Sequence, residues 1–239
     1  MNIPKNIPSR IEEVLYRVNS KLNSNEYKES INSRLNKSKC PLCEGKGMIY
    51  NSYRKRYSKC KCQGNQRIAR ALHKFNAEEL GKSFKNFNDD NLQSKNMKNA
   101  TTNYYLRFEK IRNKVSNSFA LLGIEEEDRT HLLLALSNRF IFNDDIEVSY
   151  ISSKNRNLQL NREYIDNYKK VELLIINDFL EGVESKKNID LIIEILDYRY
   201  KKRLPVVLGS SLGLMEINYI NNYLGDLVSL IAKDNLFDR

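Results

Sequence analysis

Short apolar runs alternate with stretches of helical spacing through the second half of the chain. FALL at 119–122 reads as a buried strand that ends at Gly123, and a helix rich in leucine and alanine is predicted over 129–141. The pattern then predicts a strand at 147–152 (EVSYIS), a helix at 158–168 and a strand at 171–177 (VELLIIN). A helix at 187–200, a strand at 205–210 (PVVLGS) and a terminal helical region complete the series. Strands separated by helices imply an α/β domain, a parallel sheet with helices on both faces. VELLIIN is almost continuously apolar, as a central strand covered on both sides must be.

The first half is patterned differently. Ile11, Val14, Leu15 and Val18 fall at helical spacing, with Ser9 and Glu12 placed as a capping box. A second short helix is expected at 26–36. Such an arm either packs on its own protein or docks on a partner. A helix over 66–80 runs through Ile68, Ala69, Leu72, Phe75 and Leu80 and stops at Gly81. SFKNFNDDN then reads as an extended linker whose Phe84 and Phe87 pack on the following domain. A helix from about 95 to 115 carries Tyr104, Tyr105, Phe108 and Ile111, and the tyrosines read as core residues. Three parts follow: a helical arm (1–39), a cysteine module with a basic helix (40–85) and the α/β core (86–239).

Charge separates the same parts. Residues 1–85 carry 19 Lys and Arg against 7 Asp and Glu, while the remainder carries 21 against 23. The basic excess is N-terminal, which fits either a solvated surface or a polyanion-facing module. No run of 18 apolar residues exists and the N-terminus has no secretory h-region, so a cytoplasmic protein that does not span a membrane is expected.

All four cysteines lie in CPLCEGKGMIYNSYRKRYSKCKC: Cys40, Cys43, Cys60 and Cys62. In a reducing compartment two close thiol pairs flanking a hairpin suit a tetrahedral Zn2+ site better than disulfides. Gly45 and Gly47 fit the knuckle after the first pair. Between the pairs, Arg54, Lys55, Arg56 and Tyr57 interleave charge with an aromatic ring, a mix that can contact phosphates and stack bases of single-stranded DNA. They serve equally as the polar face of a hairpin.

Strand, turn and helix at 119–141 is the context of a phosphate-binding loop, GxxxxGK[ST]. On that pattern Gly123 is the first glycine, Asp128 replaces the second, Arg129 replaces the lysine and Thr130 keeps the hydroxyl.

The order of segments, together with Thr130-His131-Leu132, Ala135, Asn138, Tyr198-Arg199-Tyr200 and Phe237-Asp238-Arg239, resembles the DnaC/DnaI-type replicative helicase loaders. These are AAA+ proteins related to the IstB-like transposon ATPases. The resemblance implies an AAA+ P-loop core that binds ATP and Mg2+, contacts single-stranded DNA and delivers a hexameric helicase. It also implies an N-terminal region that grips that helicase.

The family's chemistry is altered here. Glu125, Glu126, Glu127 and Asp128 fill the loop and would repel a triphosphate by several kcal/mol in a partly dry site. Asn177 stands where the resemblance implies a magnesium-holding acid, and Asp178 where it implies the catalytic acid. Ser211 occupies the polar sensor position. Ser229-Leu230-Ile231 lacks the arginine expected to reach a neighbour's phosphate. Arg199 matches a family arginine of unassigned role. His131 reads as a packing or hydrogen-bonding residue.

The expected function is a helicase-loader-like protein with an inactive ATP site, binding a helicase, single-stranded DNA and an active loader ATPase. An ATP-hydrolysing loader and a zinc-containing single-strand adaptor are the alternatives. On a sound scaffold, Asp128→Gly, Arg129→Lys and Asn177→Asp together are expected to restore nucleotide binding.

Overall fold

A computed structural model describes residues 48–51, 56–59, 75–144, 146–152, 162–182 and 186–238. The four cysteines, Arg54, Lys55 and the helices expected before residue 40 lie outside the described residues. The chain divides into two compact units, residues 1–81 and 82–239.

In the first unit, β1 (Met48–Asn51) pairs antiparallel with β2 (Arg56–Lys59), with Tyr50 opposite Tyr57. Arg56 and Tyr57 therefore belong to the second strand of a ribbon. A short helix, α1, spans Ala77–Gly81. Asn76 and Glu79 cap its start reciprocally: the Asn76 side chain accepts from the Glu79 amide at 2.9 Å, and the Glu79 carboxylate from the Asn76 amide at 2.7 Å.

The second unit opens with α2 (Leu92–Ile111), β3 (Phe119–Leu122), α3 (Glu126–Asn143), β4 (Val148–Ser152) and α4 (Arg162–Lys170). It continues through β5 (Leu173–Asn177), α5 (Lys186–Lys202), β6 (Val206–Gly209), α6 (Leu214–Ile220), α7 (Asn222–Ile231) and β7 (Leu236–Asp238). Its sheet has the order β4-β5-β6-β3-β7, and each neighbouring pair is parallel.

The two-residue period of β3 divides the core. Phe119 and Leu121 face a layer built on α2 and α3, with Met97, Tyr104, Phe108, Leu132 and Phe140. Ala120 and Leu122 face the opposite layer, with Ile165, Leu196, Ile217 and Val228. Every residue of β3, β5 and β6 is buried, whereas β4, at one edge, alternates between buried and half-buried. The linker phenylalanines do pack here: Phe87 is buried in the α2–α3 layer and Phe84 lies against it. Tyr104 is buried, stacks on Phe119 at 5.2 Å and donates its hydroxyl to the Asn117 carbonyl at 3.0 Å. Burial pushes the phenol far above its ordinary range.

Arg199 has a structural place. It is fully buried near the end of α5, and its guanidinium donates to the carbonyls of Tyr168 (2.6 Å), Val171 (2.9 Å) and Pro205 (2.8 Å). One side chain thus joins the end of α4, the entry to β5 and the entry to β6. Among the described residues, no helix is long and apolar enough to cross a membrane.

Several elements differ from the sequence expectation. Phe75 and Asn76, placed inside the helix expected over 66–80, lie outside α1, because Asn76 caps its start at Ala77. Helix α2 spans 92–111 rather than about 95–115. Helix α3 begins at Glu126 rather than 129, because acidic side chains in a first turn complement the helix dipole and Asp128 brings none of glycine's freedom. The terminal region also holds a strand, β7, paired to β3 from Leu236 to Asp238.

Candidate nucleotide-type site

From β3 the chain passes to β4 at the far edge, returns through β5 and β6 to lie beside β3, and then crosses to β7. The strand order reverses at β3 and β6, and in open parallel sheets the crevice beyond such strand ends is where ligands bind. At these strand ends lies the protein's own Arg129.

Arg129, in the first turns of α3, is completely buried. Its Nε donates to Asn177 Oδ1 at 2.9 Å and its Nη1 to the Ile124 carbonyl at 2.6 Å. Its Nη2 pairs with Asp178 Oδ1 at 2.6 Å and with Glu181 Oε1 at 2.9 Å. A planar fork meets four acceptors in separate directions, which a single ammonium on a flexible stem does not do. Gly209 makes room for the stem: a Cβ there would lie 2.9 Å from Arg129 Cδ and 2.5 Å from Leu133 Cδ1.

The loop ahead of α3 consists of Gly123, Ile124 and Glu125. Gly123 has φ +67°, the left-handed backbone that favours glycine. Its amide donates to the Leu212 carbonyl at 3.1 Å, and that of Ile124 to the Ser210 carbonyl at 3.2 Å. A phosphate loop directs successive amides at its ligand. In this loop two amides are engaged by neighbouring carbonyls, and the Ile124 carbonyl points inward to the guanidinium. The position of the motif's second glycine, Asp128, is already inside the helix.

Glu125, Glu126 and Glu127 are exposed, and half-buried Asp128 accepts from Ser94 Oγ at 3.3 Å. Carboxylates in the first turn stabilise a helix by about 0.3–1 kcal/mol each. They hold the kind of position that a bound phosphate would otherwise hold.

The remaining candidates converge on the same place. Thr130 Oγ1 accepts from Asn177 Nδ2 at 2.8 Å, so the two groups expected near a magnesium ion bond to each other. Asp178 is buried and accepts from Ser152 Oγ through its second oxygen. Ser211 is exposed and reaches the site only through its amide, which donates to Glu181 Oε1 at 2.7 Å. The buried serine is its neighbour, Ser210, which donates to the Phe179 carbonyl at 2.7 Å. Asp178 and Leu180 both have positive φ, 54° and 65°, a backbone costing about 1–3 kcal/mol in non-glycine residues. The residues present therefore do not form an open cradle for a triphosphate and its magnesium. Among the described residues, no group of three or more His, Cys, Asp and Glu could hold a metal ion.

Sequence reading missed Glu181, Ser152 and the Ile124 carbonyl. Ser152 carried a signal, since it ends β4 in register with Asn177. Glu181 carried only its nearness to Asp178.

His131 lies on α3 beside the site and faces away from it. Its Nε2 donates to the Ser83 carbonyl at 3.0 Å, and its ring meets Phe87 edge-on at 5.3 Å. Burial pulls its pKa below the ordinary value, opposed by the Ser83 hydrogen bond. A histidine harder to protonate when folded supports stability above its ordinary pKa, and that support is lost as pH falls and the unfolded chain takes up the proton first. Between roughly pH 7.5 and 5.5, the protein is expected to lose more melting temperature than a His131→Gln variant does. Equal losses in thermal scans at the two pH values would contradict this.

The five-stranded parallel sheet of order β4-β5-β6-β3-β7, with a layer of helices on each face, is a fold shared with solved structures of replication proteins. The solved structure of DnaI superposes with a TM-score of 0.54 at 20% identity, over 66% of this chain and 88% of that one. AMPPCP-bound DnaA from Aquifex aeolicus superposes with a TM-score of 0.50 at 20% identity, over 65% of this chain and 49% of that one. No family model matches the chain. Among curated proteins, it is 29% identical over 194 residues to the uncharacterised protein YqaM of Bacillus subtilis. That match covers 74% of this chain and spans only 62% of YqaM. It is also 24% identical to XkdC of the phage-like element PBSX of Bacillus subtilis, over 82% of this chain and 80% of that protein.

Proposed function

We propose that the chain is a helicase-loader-like DNA replication protein that works without hydrolysing ATP. It engages a replicative helicase and single-stranded DNA, and an active loader ATPase where one is present. The fold shared with DnaI supports the loader role. The likeness to a protein of a phage-like element favours a phage-borne or prophage-borne version of it. The observation that carries the inactive-site reading is Arg129, which is fully buried at the strand ends and ties Asn177, Asp178 and Glu181 to itself. The basic segment between the cysteine pairs, with Arg54, Lys55, Arg56 and Tyr57, is the proposed strand-binding element, on a module holding one Zn2+ through Cys40, Cys43, Cys60 and Cys62.

Calorimetric titration with ATP and Mg2+ tests the reading. No binding is expected at high micromolar nucleotide, and no hydrolysis on adding single-stranded DNA. The Asp128→Gly, Arg129→Lys, Asn177→Asp variant is also expected to stay silent, contrary to the expectation from sequence. Three substitutions neither unwind the first turn of α3 nor release the amides of Gly123 and Ile124. Micromolar binding with turnover by the natural chain would make it an ordinary loader ATPase.

A further inference from the structure

The arginine centre does not end at Asp178. The Glu181 oxygen that pairs with Arg129 at 2.9 Å also accepts the Ser211 amide at 2.7 Å. Segment 210–212 is held from two other sides as well. The Ser210 and Leu212 carbonyls accept the amides of Ile124 and Gly123, and Ser210 Oγ bonds the Phe179 carbonyl. Helix α6 starts two residues later, at Leu214. Its inner side is fixed by fully buried Ile217 and by a tight crossing onto α7, where a Cβ on Gly225 would lie 1.9 Å from Asn218 Oδ1. Its outer side displays Met215 and Tyr219, 85% and 93% exposed.

We propose that Glu181 is a positioning residue that relays the fixed place of Arg129 to segment 210–213 and so to α6, holding that helix in one orientation with or without nucleotide. The inference rests on the reading that Arg129 occupies the site permanently. Glu181 has a built geometry for this role: one carboxylate oxygen bridges a buried cation and a backbone amide in the segment that leads into the helix. It sits in a turn whose backbone is already strained at Asp178 and Leu180.

The chain contains no tryptophan, so Tyr219→Trp, at a position 93% exposed, places a single, selectively excited tryptophan on α6 without disturbing the core. In that parent, Glu181→Ala is expected to speed amide exchange over residues 210–220 at least tenfold. Tryptophan anisotropy is expected to fall, while amides of β5 and β6 stay protected. Glu181→Gln keeps an oxygen for the Ser211 amide but loses the charge facing Arg129, and an intermediate effect confined to the same segment is expected. Exchange and anisotropy equal to the parent's in Glu181→Ala would overturn the relay. If that variant does not fold, Glu181→Gln decides alone: faster exchange limited to 210–220 supports the relay and unchanged exchange overturns it. ATP with Mg2+ added to the parent separates the two ideas. Binding that shifts the tryptophan signal would defeat the self-occupied site itself, whereas silence with an unaffected Glu181→Ala defeats the relay only.

Discussion

Arg129→Met is expected to lower the stability of the domain by about 3–5 kcal/mol, the range found when one partner of a buried ion pair is removed. The loss has a specific source. Asp178 is 1% exposed and Glu181 17% exposed at the side chain, and both lose their cation. Asn177 Oδ1 and the Ile124 carbonyl lose their donors at the same time. The stem's volume is largely retained by methionine, so a cavity is not the main term. Buried Asp178 and half-buried Glu181 are then left without a counter-charge. Urea unfolding measures the loss. Adding Asp178→Asn and Glu181→Gln to Arg129→Met should recover part of the loss. A deficit below about 1 kcal/mol would mean that the arginine is not the keystone of these strand ends.

Arg199→Met carries the second large effect, roughly 3 kcal/mol. All of the acceptors around its guanidinium are backbone carbonyls, led by those of Tyr168, Val171 and Pro205. Burial lowers its pKa to about 9, so it keeps its charge at neutral pH. Removing it leaves several buried carbonyls without a donor, each costing about 1–3 kcal/mol before water or relaxation repairs some of them. Arg199→Lys should recover little, because one ammonium does not face both the α4–β5 corner and Pro205. Chemical denaturation distinguishes the outcomes, and a lysine variant as stable as the parent would show that charge alone matters there. No effect on nucleotide or DNA binding is expected at a residue so far inside the protein.

The strands were legible because three of them are buried on both faces and so read as unbroken apolar runs. The loop was legible as a departure from a phosphate cradle, but not in what replaced the cradle. Four acids in a row look like repulsion on paper. In three dimensions Glu125, Glu126 and Glu127 turn outward, and the neighbouring arginine goes inward. Glu181 meets Arg129 across 52 positions through a left-handed turn, and such a turn leaves no periodic trace. Arg199 was recognisable as an arginine in a familiar place, yet its partners are main-chain carbonyls, which every residue has. Strand β7 escaped because three residues of mixed polarity become a strand only when β3 lies beside them.

The groups gathered around Arg129 come from the turn after β3 and from the ends of β4, β5 and β6. They meet only once those strands are aligned, so the cluster is expected to form late in assembly. Interactions absent from the folding transition state slow disassembly without hastening formation. On that expectation the buried guanidinium is a clasp on the finished domain: Arg129→Met should shorten the lifetime of the folded form, read in stopped-flow unfolding, more than it slows refolding.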